Sequence, residues 1–207
     1  MLRLLGRGTS INVRKVLWTC AELNLDYVHE PWGFAALPTS LTRFKALNPN
    51  ATVPVIEDGD FVLWESNTIC RYLATKHRRA DLLPVEAQHR AVVEQWMDWQ
   101  ATELNNAWRY AFMALVRGSP ERVDPQALDA SVQSWNRHMA ILDAQLASTG
   151  AFVTGSTFTL ADVVLGLSVH RWRMTPLARP GLPSIDAYYD RLSARSGFMA
   201  HGRNGTP

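Results

Sequence analysis

Near Pro84 the chain changes character, and few folds accommodate the change. Before it, short strand-like runs alternate with runs of helical spacing. After it, every periodic segment is helical. Residues 1–5 read as a strand, Gly6 to Thr9 as a turn, and Ser10 as an N-cap. Val13, Val16, Leu17, Cys20 and Leu23 follow at helical spacing, Asn24 can end the helix, and residues 26–29 read as a second strand. A β-α-β start favours parallel strands joined by a right-handed crossover. Residues 31–38 form a loop and residues 39–47 a short helix that Asn48-Pro49-Asn50 breaks. Apolar runs at 53–57 and 61–64 flank Asp58-Gly59, a strong hairpin signal. A helix then runs from Ser66 to about Lys76 or His77, so the order is β-α-β-α-β-β-α.

The second half reads as a bundle. Residues 87–116 form a long helix that Gly118-Ser119-Pro120 stops. Asp124 caps the next, with Pro125 in its first turn. Leu128, Val132, Trp135, Met139, Leu142 and Leu146 then step by four and three, which is one apolar stripe, and Thr149-Gly150 ends it. Thr159-Leu160-Ala161-Asp162 has the pattern of a capping box. The helix it opens, residues 163–169, is apolar nearly all round and belongs in the middle of the bundle. A last helix is predicted over residues 184–194, with a loose tail from Gly197.

Apolar residues make up 47% of the chain and charged residues 19%, an ordinary globular balance. The net charge is only +2 and the basic residues are scattered, which argues against a nucleic-acid partner. Their one run, His77-Arg78-Arg79, reads as a solvated linker. No stretch is long and apolar enough for a membrane helix, and residues 1–5 are too short for the apolar core of a signal peptide. Two cysteines, Cys20 and Cys70, lie in helical patterns as buried free thiols. The expectation is a cytoplasmic protein. Gly6-Arg7-Gly8 has Ile11 where a dinucleotide fingerprint needs glycine, and there is no P-loop, nucleophile elbow or paired histidine spacing. No metal site is expected.

Three local features carry chemistry. Thr9 and Ser10 bring hydroxyls to a helix start, where anions are favoured and a hydroxyl can donate to a thiolate. The plain alternative is an N-cap. Val53-Pro54 precedes a strand, and a cis bond there turns the Val53 backbone outward. Glu65 and Ser66 sit where the hairpin enters a helix. Ser66 and nearby N–H groups can hold a carboxylate and Glu65 an amine, or they are simply a cap with a solvated neighbour.

Together these features resemble the glutathione S-transferase family. The segments 10–18, 44–55 and 63–73 and the Thr159–Asp162 box stand in the family's order and cover almost the whole chain. The first segment is similar to the first helix of bacterial theta-like, serine-type members. The resemblance implies an α/β thioredoxin-like domain, about residues 1–78, and an all-α helical-bundle domain, about 86–207. It implies glutathione as co-substrate, a small electrophile as its partner, and a homodimer with each site near the interdomain cleft. The γ-glutamyl end would sit at Glu65 and Ser66, the cysteinyl backbone at Val53 beside Pro54, and the sulfur at Ser10, with Asn12 or Thr9 as alternatives. Thr52 stands where the family often has lysine before Val-Pro, which leaves Lys45 as a substitute contact to the glycyl carboxylate. Trp108, Arg109, Phe112 and Met113 either line the electrophile pocket or belong to core or dimer contacts. Arg109 or Arg173 either holds an anionic substrate or is surface charge. A glutathione-dependent disulfide reductase and a non-catalytic glutathione-binding module are the competing activities.

Overall fold

The computed structural model describes residues 1–120 and 124–207. The first part contains β1 (Leu2–Leu5), α1 (Ile11–Leu23), β2 (Tyr27–Glu30), α2 (Thr42–Lys45), β3 (Val55–Asp58), β4 (Phe61–Trp64) and α3 (Ser66–Lys76). The sheet order is β2-β1-β3-β4. β1 and β2 are parallel, as the crossover through α1 requires, while β1–β3 and β3–β4 are antiparallel. This is the α/β arrangement expected of a thioredoxin-like domain. β3 begins two residues later than its apolar run, because Pro54 has no N–H to give a ladder. Of residues 39–47 only Thr42–Lys45 are helical, held by Phe44, the one buried side chain of that turn.

The helical part comprises α4 (Ala87–Trp99), α5 (Asn105–Leu115), α6 (Pro125–Thr149), α7 (Leu160–Met174), α8 (Pro183–Ser193) and α9 (Ser196–His201). The run 87–116 is one rod with a fault in it: a π-helical turn, Gln100–Leu104, joins α4 to α5. Asp124 accepts from the Gln126 N–H at the head of α6, and Pro125 occupies its first turn. Every residue of α7 from Leu160 to Trp172 is buried. Its start is fixed by Asp162, whose carboxylate accepts from the N–H groups of Thr159 (2.8 Å) and Val153 (2.9 Å) and from the Tyr188 hydroxyl (3.1 Å).

The tail is not loose. α9 packs on α1, and Gly197 is there for closeness rather than as a helix breaker: a Cβ on it would lie 2.6 Å from Trp18 Cδ1. Beyond α9, Asn204, Thr206 and Pro207 accept hydrogen bonds from the buried Arg14 guanidinium. The larger of two hydrophobic clusters runs from the sheet face of α1 through α3 into α7 and α8, and the smaller gathers Leu5, Trp32, Phe44 and Val55.

Gly166 sits where α7 meets α1 and α8. A Cβ there would fall 2.6 Å from Leu192 Cδ1 and 3.1 Å from Trp18 Cη2. Overpacking a filled core costs about 1–3 kcal/mol, so Gly166→Ala is expected to lower the free energy of urea unfolding by that amount. Gly181→Ala, with open space around the added carbon, should change it little. Equal effects from the two substitutions would contradict this packing.

Candidate active site

The chain leaves β1 at Leu5, turns, and enters α1 through Ser10, whose extended backbone (φ −81°, ψ 126°) makes it the N-cap. Ser10 does not cap with its side chain. Its C=O accepts from the Arg14 N–H (2.9 Å), and the N–H groups of residues 11–13 have no protein partner among the described residues. No acidic residue stands in the first turn. The result is a hydroxyl beside a bare helix N-terminus, a setting that favours negative charge.

Two cavities meet there, and Arg7, Ser10 and Asn12 line both. One, of about 400 Å³, runs over Gly33, Thr52 and Val53. The other, of about 470 Å³, is walled by Trp108, Arg109, Phe112 and Met113 from α5 and by Arg171 from α7. The four α5 residues singled out from the sequence therefore stand together. Thr9, although next to Ser10, lines neither cavity, and Lys45 is exposed on α2 away from both. Arg173 is turned away: it pairs with Asp186 and lies over the Tyr189 ring. The cations missed by the sequence reading are Arg7, Arg117 and Arg171, all on the larger cavity.

The Val53-Pro54 peptide is cis. Neither the N–H nor the C=O of Val53 is hydrogen-bonded within the described residues. One hairpin further on, Glu65 has φ 74° and ψ 107°, a strained conformation for a residue with a Cβ, and its carboxylate makes no hydrogen bond or ion pair among the described residues. Such strain tends to persist where the surroundings hold it for function. Ser66 follows at the head of α3, buried, with no side-chain bond to the helix.

Behind the site lies Lys15, 1% exposed and in no ion pair among the described residues, although the Glu65 carboxylate acts on its charge without touching it. Its ammonium donates to Asn67 Oδ1 (3.1 Å) and Gln100 Oε1 (2.7 Å). Gln100 donates to Asn105 Oδ1 (3.0 Å), which also accepts from the Trp108 indole (3.0 Å). Asn67 donates to the Met97 carbonyl (2.8 Å). One polar chain thus ties α1 and α3 to the π turn and to a wall of the larger cavity. Burial pushes the Lys15 ammonium down to about 8, against an ordinary 10.5.

The family model described as the glutathione S-transferase N-terminal domain matches residues 9–76, and that of the C-terminal domain matches residues 125–191. The chain belongs to the glutathione S-transferase family. Glutathione S-transferase GstB of Escherichia coli is 37% identical over 197 residues, 94% of each chain. Glutathione S-transferase 3 of Zea mays is 31% identical, over 96% of this chain and 91% of its own. Among solved structures, the theta class glutathione S-transferase of Xanthomonas axonopodis pv. citri with glutathione bound superposes with a TM-score of 0.89, at 35% identity over 97% of this chain and 96% of its own.

Within this glutathione S-transferase fold both cysteines are buried and line neither cavity, and burial raises Cys20 to about 12 and Cys70 to about 11. Neither is placed or poised for thiol chemistry. Among the described residues no cluster of His, Cys, Asp and Glu is arranged to hold a metal, and no helix is long and apolar enough to cross a membrane. The signal that could have found Arg171 was available. It is a guanidinium close behind the apolar run 163–169, and a charge on a central helix needs a reason to be there.

The Lys15 shift has a pH consequence. Between pH 8 and 10.5 the unfolded chain holds a proton on Lys15 that the folded chain has lost, so this group adds stability as pH rises through that window. Below pH 8 it opposes folding. Lys15→Met is therefore expected to compare most favourably with the parent at pH 7, and to lose on the order of 1–3 kcal/mol of that relative standing by pH 10. Urea unfolding of both proteins at pH 7, 8.5 and 10 measures it. A difference that stays constant with pH would mean that Lys15 titrates as in water.

Proposed function

We propose that the protein transfers the thiolate of glutathione to a small electrophilic substrate. The observation that carries this reading is the uncommitted Ser10 hydroxyl, at a bare helix N-terminus on the seam where the two cavities meet. Glutathione lies along the smaller cavity. Its cysteinyl main chain pairs with the free N–H and C=O of Val53, as an added strand would. Its γ-glutamyl carboxylate is held by Ser66 and the N–H groups at the head of α3, and its amine by Glu65. Its sulfur points to Ser10. The electrophile lies in the larger cavity against Trp108, Phe112 and Met113, beside Arg109.

A free thiol has a pKa of about 8.5, so little of it is nucleophilic at neutral pH. The helix N-terminus, the Ser10 hydroxyl as donor and the nearby Arg7 guanidinium each favour the thiolate. The carbon–sulfur bond then forms as the bond to the leaving group breaks, and the thiol proton goes to solvent. The burial of Cys20 and Cys70 weighs against a mixed disulfide with the protein, and so against a reductase of that type. The division into domains at about 1–78 and 86–207, a cytoplasmic location and a homodimer belong to the same reading. Exposed Phe61 and Trp64 on β4 and Val92 on α4 are the apolar residues that a second copy would cover.

Ser66→Ala should weaken glutathione binding by about 1–3 kcal/mol, the value of a charge-assisted hydrogen bond, as read by calorimetry. Unchanged affinity in a folded variant would reject that contact. Ser10→Ala should raise the pKa of bound glutathione by about one unit or more and lower turnover, with a smaller effect on binding. Titration of the thiolate by its ultraviolet absorbance, in parallel with Thr9→Ala and Asn12→Ala, tests the assignment. A titration that moves with Thr9 or Asn12 and not with Ser10 would transfer the role to that residue.

A further inference from the structure

Four arginines, Arg7, Arg109, Arg117 and Arg171, line the larger cavity, and no aspartate or glutamate does. None of the four forms an ion pair among the described residues, whereas Arg3, Arg71, Arg79, Arg90, Arg173 and Arg195 elsewhere each have a carboxylate. Arg171 is the exceptional one. It is 4% exposed, its guanidinium lies 4.1 Å from the Phe112 ring centroid and 4.6 Å from that of Trp108, and its buried Nε has no acceptor among the described residues. Burial lowers its pKa to about 9, with Arg14 and Arg117 pushing the same way. Arg14 is already occupied by main-chain oxygens of Thr206 and Pro207.

A buried charge without a counter-ion is costly, and two ring faces offset only part of that cost. The same rings hold the planar fork in one orientation, which suits the two oxygens of a carboxylate. On the transferase reading above, the γ-glutamyl carboxylate of glutathione is placed at the head of α3, and the rest of the tripeptide lies along the smaller cavity. We infer that the electrophilic substrate is itself an anion: a flat, apolar molecule bearing a carboxylate or sulfonate, whose charged group seats on Arg171, with Arg117 at the exposed side, and whose reactive carbon faces Ser10. With a halogen on that carbon, attack forms the carbon–sulfur bond of the conjugate, halide leaves with the bonding electrons and the thiol proton goes to solvent, so no oxidant or reductant is needed.

The test separates this from the transferase reading by measuring binding first. 3,5-Dinitrobenzoate and its neutral counterpart 3,5-dinitrobenzamide are titrated calorimetrically into the intact protein, Arg171→Gln and Arg117→Gln. The acid should bind the parent roughly 10–100-fold more tightly than the amide, the range of one charge-assisted pair. Arg171→Gln should bring the ratio close to one by weakening the acid alone. Arg117→Gln, a change at an exposed residue that keeps the fold, should lower it by roughly threefold, in keeping with a more solvated charge. Equal binding of acid and amide by the parent, or a preference that survives both substitutions, overturns the inference. So does an Arg171→Gln variant that loses glutathione affinity as much as acid affinity, because the anion would then be glutathione itself. Turnover of 4-chloro-3,5-dinitrobenzoate and its amide with glutathione, each relative to its uncatalysed rate, is read separately. If the acid binds selectively and neither compound is conjugated, the anion site stands and the transferase reading falls.

Discussion

Helix α1 is covered on its flanks by α3, α7 and α9. Trp18 at its centre is fully buried, with the Phe158 and Phe198 rings 5.6 Å and 5.0 Å away. Glu22, one turn on, accepts the Trp18 indole N–H and pairs with Arg195, whose guanidinium rests 3.8 Å over Phe158. Truncating a buried tryptophan costs about 3–5 kcal/mol. A charge at an exposed helix end is worth about 0.3–1 kcal/mol. Packing therefore decides where α1 lies, and the electrostatics of its N-terminus follow from that placement. With the flanks closed, the end at Ser10 is the part of the helix that meets the cavities.

The charges inside the molecule fall into two kinds. Asp162 is buried but surrounded by donors, and its bonds fix the start of α7 although burial still lifts its pKa to about 6. Arg14, Lys15 and Arg171 are buried cations in no ion pair among the described residues, the first held by main-chain oxygens of the tail, the second by neutral amides and the third by ring faces. Burial without full compensation is destabilising. The first kind belongs to the scaffold. Of the second kind, Lys15 stands behind the site and Arg171 in its wall.

Much of the fold could be read from the sequence because local and long-range preferences agree. The Asp58-Gly59 hairpin, the Asp124-Pro125 start of α6 and the Thr159–Asp162 box are each set by residues within a few positions of one another. What was misread depends on distant partners. Gly197 looks like the start of a loose tail until Trp18 is beside it, and the end of the chain looks free until Arg14 reaches it across about 190 positions. At the site, Ser10, Asn12, Val53 and the α5 residues do share the two cavities. Arg173 was named as a candidate and Arg171, two residues away on the same helix, was missed. Those two positions differ by roughly 200° around the axis, enough to put one into the cavity and the other toward Asp186. The π turn gave no sign, since its residues are ordinary helix formers.

That turn sets the angular phase of everything after it. An α-helix advances roughly 100° per residue, and a π turn holds one residue more than the α-turn it replaces. Within Gln100–Leu104 this extra residue is accommodated while Gln100 stays directed at Lys15. Trp108, Arg109, Phe112 and Met113 are then presented to the cavity as a set. Relatives whose helix lacks the extra residue would display the next set round, so a one-residue change in length here reassigns the whole wall of the binding cavity without any substitution in it. Substrate range in such a fold can change by rotation of a helix as well as by replacement of its side chains.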